Sequence, residues 1–209
     1  MKKTVLLDVD GTILDTWHFV FDAVRHTANS HGYKYPPEET IKKAQGKSII
    51  EFYQILYPNA DAEILVQTHT DYQKGIFNIG KPFPGTVKTL KKIKAAGHLI
   101  AAVSNRSRKS LLISLKETKL NKFFDLIVSA DDVKNPKPHK DHILVALKSL
   151  KAAPDHSYMV GDLEVDILAG KNARVKTVGV TYGYAGEEIK KCEPDFIINA
   201  IEELPDLVI

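Results

Sequence analysis

The stretch Thr4-Val5-Leu6-Leu7-Asp8-Val9-Asp10-Gly11-Thr12 constrains this chain more than any other. The apolar run Val5 to Leu7 has the length and branching of a buried strand, and it delivers two carboxylates where the strand should end. Residues two apart in an extended chain point to the same side, so Asp8 and Asp10 can converge on one point. Gly11 then lets the backbone turn sharply or approach a ligand closely. Two like charges beside an apolar strand are unfavourable unless a cation or a hydrogen-bond network holds them. Taken alone, an Asp-x-Asp-Gly also fits a solvated strand-end turn, so the rest of the chain has to decide.

Downstream of Thr16 the pattern is helical. Val20, Phe21, Val24 and Ala28 recur at helical spacing, Gly32 stops that helix, and Pro36-Pro37 marks a loop. Further helices are expected over 37–44, 48–57 and 61–74, and Lys81-Pro82-Phe83-Pro84-Gly85 closes the region with a rigid turn. Residues 16–81 are therefore expected to form a helical insert between the first strand and the remainder of the chain. From Thr86 the rhythm alternates. Val87, Leu90 and Ile93 suggest one face of a helix, 98–103 a strand, 107–118 a helix, and 125–128 a strand. Helices at 141–151, 164–173 and 201–207 alternate with strands at 157–160, 176–180 and 195–198. Such alternation implies an α/β fold: a Rossmann-like parallel sheet over 1–15 and 82–209, covered by helices on both faces, with its ligand beyond the strand C-termini.

Several function classes are disfavoured. The 29 basic and 26 acidic side chains are mixed in sign, and lysines such as Lys88, Lys91, Lys92 and Lys94 suit a solvated helix face without aromatic interleaving. No nucleic-acid partner is expected. Cys192 is the only cysteine, so neither an intramolecular disulfide nor a cysteine-based zinc site is expected. His139 and His142 read as surface residues, and Asn105-Arg106-Ser107 as a glycosylation sequon without meaning inside a cell. Lys2-Lys3 begins like a signal peptide, but Asp8 and Asp10 end the apolar run too early. No run approaches the ~20 apolar residues that span a bilayer, so no membrane partner and a cytoplasmic location are expected.

Three further groups fall at expected strand ends. Ser104-Asn105 could receive an oxyanion through its hydroxyl and backbone amides, or Ser104 could simply cap the next helix. Lys137 lies between Pro136 and Pro138, which hold it in place as a point charge for phosphate, although many loop lysines are merely solvated. Asp162 follows another strand, with Asp166 one helical turn on, and Asp162 capping its own helix is the plainer reading. Together, Asp8, Asp10 and Asp162 make a hard oxygen site suited to Mg²⁺, with Ser104 and Lys137 around a phosphoryl group.

This set resembles the haloacid dehalogenase superfamily over nearly the whole chain. Asp8 to Thr12 looks like its first motif, Ser104-Asn105 its second, Lys137 its third, and Gly161-Asp162 through Asp166 its fourth. The helical insert sits where that family's cap enters, and 166–184 is similar to the phosphoglycolate phosphatase-like branch. Val9 and Arg174 depart from the usual Phe and Gly. The resemblance implies that Asp8 attacks phosphorus and that Asp10 acts as acid and base. It further implies Mg²⁺ on Asp8, the Asp10 carbonyl and Asp162, phosphate on Ser104, Asn105 and Lys137, and Asp166 orienting Lys137 or metal waters. Thr12 belongs to the same surroundings and weighs against a mutase. By the same resemblance Gly46-Lys47-Ser48 looks like the cap's substrate loop, which makes Gln45, Lys47 and Ser48 candidates to face the leaving group; Lys47 could equally be a solvated helix-start residue. Gly46-Lys47-Ser48 is no P-loop, since Ile41 stands where the upstream glycine would be.

The expected activity is a Mg²⁺-dependent phosphatase for a small organic phosphomonoester, phosphoglycolate-like or a sugar phosphate, working as a monomer or weak dimer. An inorganic pyrophosphatase, a sugar-phosphate mutase and a non-catalytic phosphate-binding module are the alternatives.

Overall fold

A computed structural model describes residues 2–74 and 80–209. The chain divides into two compact units, Met1–Asp15 with Lys81–Ile209, and Thr16–Gly80. Residues 75–79, expected from the sequence to belong to the helical insert, lie outside the described residues.

The first unit is built on strands β1 (Thr4–Leu7), β4 (Leu99–Val103), β5 (Leu126–Val128), β6 (Ser157–Gly161), β7 (Lys176–Val180) and β8 (Phe196–Ile198). They form a parallel six-stranded sheet in the order β5-β4-β1-β6-β7-β8. A short antiparallel pair, β2 (Leu14–Asp15) with β3 (Lys81–Pro82), ties the two chain segments of this unit together. Val5 and Leu7 face one side of the sheet, among Leu90 and Ile93 of helix α5 (Thr86–Ala95) and Leu111 and Leu115 of α6 (Arg108–Glu117). Leu6 faces the other, among Ile143 and Leu147 of α7 (Asp141–Leu150) and Ala169 of α8 (Glu164–Asn172). Every residue of β1 is buried, as expected of a strand covered on both faces. The order runs outward from β1 through β4 to β5, then resumes at β6 on the opposite side. That reversal is where open α/β sheets leave a crevice at the strand C-termini.

The second unit holds α1 (Trp17–Ser30), α2 (Glu38–Ala44), α3 (Ile49–Leu56) and α4 (Ala62–Lys74) around Val24, Ile41, Phe52, Tyr53 and Leu65. Tyr53 Oη lies 2.9 Å from His69 Nδ1 inside that core.

Three expectations shift for local reasons. Val87 is exposed, and α5 buries Leu90 and Ile93 with Thr86 and Thr89 instead. Asp125 and Asp195 stand just before their strands, where their carboxylates accept the backbone N–H of Ile100 (2.9 Å) and Thr177 (2.7 Å). The closing helix divides into a turn at Ile201–Glu203 and α9 (Leu204–Val208), because Pro205 has no N–H and is best placed in a helix's first turn.

Arg174 explains the glycine usual in its place. Helix α8 ends in a Schellman arrangement, with Val175 N–H donating to Gly170 O (3.1 Å) and Arg174 N–H to Lys171 O (3.0 Å). This puts Arg174 at φ +58°, a left-handed conformation unfavourable for a residue with a Cβ. Arg174→Gly is expected to raise stability by about 0.5–1 kcal/mol in urea unfolding, the local relief exceeding the added chain entropy.

Candidate active site

The C-terminal ends of β1, β4 and β6 deliver Asp8, Ser104 and Asp162 to one edge. Asp8 N–H still donates to Val160 O at 2.9 Å, so its backbone remains part of the sheet. Gly11, at φ +79°, then turns the chain back, with its N–H on Leu14 O at 2.8 Å.

Lys137 occupies the centre of this edge. Its Nζ donates to Asp8 Oδ1 (2.6 Å), Asp166 Oδ1 (2.7 Å) and Val103 O (3.0 Å), which engages all three ammonium protons. The residue is 4% exposed. Burial alone would depress its pKa, but the carboxylates of Asp166 and Asp8 more than offset this and hold the ammonium charged. Asn105 sets the backbone: its Nδ2 donates to Lys137 O (2.9 Å), and Lys137 N–H donates to Asn105 Oδ1 (3.0 Å). The Asn105 amide is thus engaged by the lysine loop through its oxygen and one of its N–H groups.

Asp162 does not cap its helix. Its Oδ1 accepts from Thr12 Oγ1 (3.0 Å) and its Oδ2 from Tyr184 N–H (2.7 Å). It is Asp166 that serves the start of α8, accepting Leu163 N–H at 3.1 Å. Glycines make room: a Cβ on Gly11 would stand 2.3 Å from Asp162 Oδ2, and one on Gly183 would stand 2.2 Å from Asp162 Cβ.

The carboxylates of Asp8, Asp162 and Asp166 each offer an oxygen within 4.8 Å of the others. Burial pushes Asp8 up to about 7 against the pull of Lys137, with Asp166 and Asp10 adding to the rise. Burial likewise raises Asp162, with Asp8 and Asp166 adding to it and the bonds from Tyr184 and Thr12 opposing. Three buried carboxylates against one lysine leave negative charge uncompensated, and the donors are all hard oxygen. That set fits Mg²⁺. The expected carboxylate trio of Asp8, Asp10 and Asp162 differs from this clustering in one member. The Asp10 carboxylate is held elsewhere, its Oδ1 accepting from Arg106 Nη1 at 3.2 Å.

Ser104 is buried, and its Oγ accepts Arg106 N–H at 3.2 Å, while the N-cap of α6 is Ser107. Two residues here are not evident from the sequence. His142 is fully buried rather than at the surface, and its Nε2 lies 3.1 Å from Ser104 O, which requires the proton on Nε2. Its place on the apolar face of α7, beside Ile143 and Ala146, is the available signal. Arg106 could be suspected from lying two residues beyond Ser104 in the same strand-end loop. His139 is exposed and paired with Asp141 at 2.7 Å.

Gln45, Lys47 and Ser48 belong to the second unit. Ser48 is the N-cap of α3, accepting Glu51 N–H at 3.3 Å while Glu51 Oε2 accepts Ser48 N–H at 3.0 Å. Lys47 is exposed, and Gln45 Nε2 is buried without a partner among the described residues.

The fold and this edge define an α/β enzyme with a lysine-tied carboxylate cluster at the strand ends of a parallel sheet. Residues 5–180 match the family model for haloacid dehalogenase-like hydrolases, and the chain belongs to that family. It is 32% identical to pyrophosphatase PpaX of Halalkalibacterium halodurans, an alignment covering 99% of this chain and 96% of that protein. A haloacid dehalogenase-like hydrolase of Bacteroides fragilis superposes with TM-score 0.88 at 29% identity, covering 98% of this chain and 100% of that one. A Haemophilus somnus protein described as a predicted phosphoglycolate phosphatase gives TM-score 0.91 at 20% identity, covering 100% and 98%, a likeness of fold. No helix among the described residues is long and apolar enough to cross a membrane.

His142 makes stability pH-dependent. Burial, then the charge of Lys137, lower its pKa from 6.5 to about 4. Between pH 6.5 and 4 the unfolded chain binds a proton that the folded chain does not, so stability falls as pH falls through that window. On going from pH 7.5 to 5.5, wild type is expected to lose about 1 kcal/mol more than His142→Gln in urea unfolding.

Proposed function

We propose that the chain is a Mg²⁺-dependent phosphatase that cleaves a small phosphomonoester, phosphoglycolate-like or a sugar phosphate, through an aspartyl-phosphate on Asp8. The observation that carries this reading is the Asp8 carboxylate at the end of the central strand, tied to Lys137 at 2.6 Å. Pyrophosphate is a second candidate substrate, supported by the name of the Halalkalibacterium relative.

Asp8 attacks phosphorus as the bond to the leaving oxygen breaks, and Asp10 gives that oxygen a proton. Asp10 then takes a proton from water, which attacks the phosphorus of the aspartyl-phosphate and returns Asp8 as a carboxylate. Arg106 engages Asp10 Oδ1, and nothing among the described residues bonds Asp10 Oδ2, so Oδ2 carries the proton. Ser104 Oγ and the Asn105 N–H bind phosphoryl oxygens, and Lys137 balances the charge of Asp8 while Asp166 and Asn105 hold it in place. A Mg²⁺ held by Asp8, Asp162 and the Asp10 carbonyl would neutralise charge on those oxygens. The helical unit, with Gln45, Lys47 and Ser48, is the proposed cap and the source of specificity. The enzyme is read as a cytoplasmic monomer or weak dimer with a small phosphorylated metabolite as partner.

Phosphate release should be measured over phosphoglycolate, pyrophosphate, sugar phosphates and nucleotides, with Mg²⁺ and with EDTA. Release that EDTA abolishes, with one substrate well ahead, is expected. No release from any of them by folded protein with Mg²⁺ would turn the reading to a phosphate-binding module. In the same assay Asp10→Asn is expected to lower kcat by roughly 10²- to 10⁴-fold while inhibition by orthophosphate stays within a few-fold. Loss of phosphate affinity equal to the loss of turnover would remove Asp10 from the acid–base role.

A further inference from the structure

Arg106 stands in the loop after β4, and the proposed hydrolysis makes no chemical use of its charge. Its side chain is 16% exposed and is oriented from two sides. Nη1 donates to Asp10 Oδ1 at 3.2 Å, while Nη2 donates to Ser110 O at 3.2 Å and to Ser110 Oγ. A guanidinium has five N–H groups, and the Nε–H and one on Nη1 have no acceptor among the described residues. Lys137, by contrast, has all three of its N–H groups engaged. The cation with donors to offer at this edge is therefore Arg106, and it is in contact with the carboxylate that serves the leaving oxygen.

That contact locates it chemically. Whatever is bonded to the leaving oxygen lies next to Asp10, hence next to a half-buried guanidinium whose planar fork matches carboxylate and phosphoryl groups. The hydroxyls of a neutral alcohol can accept from those donors but bring no negative charge to the guanidinium, whereas an oxyanionic group brings both. We infer that Arg106 receives a second oxyanionic group, phosphoryl or carboxylate, carried on the leaving-group side of the substrate. The substrate class is then a phosphoanhydride, or a phosphate ester of an acid, rather than a phosphate of a neutral alcohol. This rests on the phosphatase reading and on Asp10 as its proton donor.

The test compares wild type, Arg106→Gln and Arg106→Lys. Steady-state kinetics use pyrophosphate, 2-phosphoglycolate and glycerol 2-phosphate, whose neutral alcohol still needs a proton on leaving. Calorimetric titrations with Mg²⁺ present use methylenediphosphonate and methylphosphonate, which are not turned over. For Arg106→Gln, kcat/KM on an anionic-leaving-group substrate is expected to fall roughly 10- to 100-fold further than on glycerol 2-phosphate, with Lys recovering part of it. Whether pyrophosphate or phosphoglycolate falls further distinguishes phosphoryl from carboxylate. Affinity for methylenediphosphonate should fall by a similar factor beyond that for methylphosphonate if the group is phosphoryl. Equal losses across all three substrates would mean that Arg106 only holds Asp10, and would overturn the inference. A wild type that turns over nothing, yet shows the Arg106-dependent preference for the diphosphonate, would overturn the phosphatase reading and support the anion site.

Discussion

The Lys137 ammonium joins parts of the chain that are far apart in sequence: Asp8 at the end of β1, Val103 O at the end of β4, and Asp166 in the first turn of α8. A buried cation is tolerable only when every N–H finds an acceptor and opposite charge lies within reach, and both conditions hold here. Removing either carboxylate would leave the buried ammonium short of both a bond and a charge. The lysine therefore requires the strand ends and the helix start to be where they are. Its own loop is held by the two-bond clamp of Asn105 on the Lys137 backbone.

The same electrostatics leave a deficit. Lys137 bonds two of the carboxylates but carries a single positive charge, and Asp162 is buried beside them with hydrogen bonds from Thr12 and Tyr184. The raised pKa values of Asp8 and Asp162 express this strain, since protonation is the alternative to compensation. A protein that keeps an excess of buried carboxylate, and packs glycines at 11 and 183 so that Asp162 fits, holds a place suited to a hard cation. The sheet makes it possible. Its apolar faces supply the burial, and the strand order reverses beside β1, the place where open α/β sheets bind ligands at the strand C-termini.

Much of this is legible in the chain. Apolar runs bounded by turn residues mark the strands, because a parallel strand buried on both faces tolerates little else. Asp8, Ser104, Lys137 and Asp162 stand out as polar groups at the ends of those runs. The clustering of Asp8 with Asp162 and Asp166 is less legible, because Asp10 has the right spacing from Asp8 to join it. Only the turn at Gly11 and the guanidinium of Arg106 show that its carboxylate is engaged elsewhere. His142 misleads because a polar residue on a helix is ordinarily taken for the wet face. Its burial depends on meeting Ser104 O, a group on another element. Asn105 reads as a phosphate ligand from its neighbour, yet its amide matches the Lys137 backbone.

By itself the sequence determined the alternation of strands and helices, the helical character of 16–74, and which polar groups would lie at the active edge. Those are set by local periodicity and by chain order, which neighbouring residues carry. The tertiary structure decided which carboxylates share a cation, which amide clamps a loop, which histidine loses its water, and which arginine meets Asp10. Those depend on distances of about three ångströms between residues as many as 129 positions apart. Hydrogen bonds and buried charges act only at such distances, and spacing along the chain does not encode them.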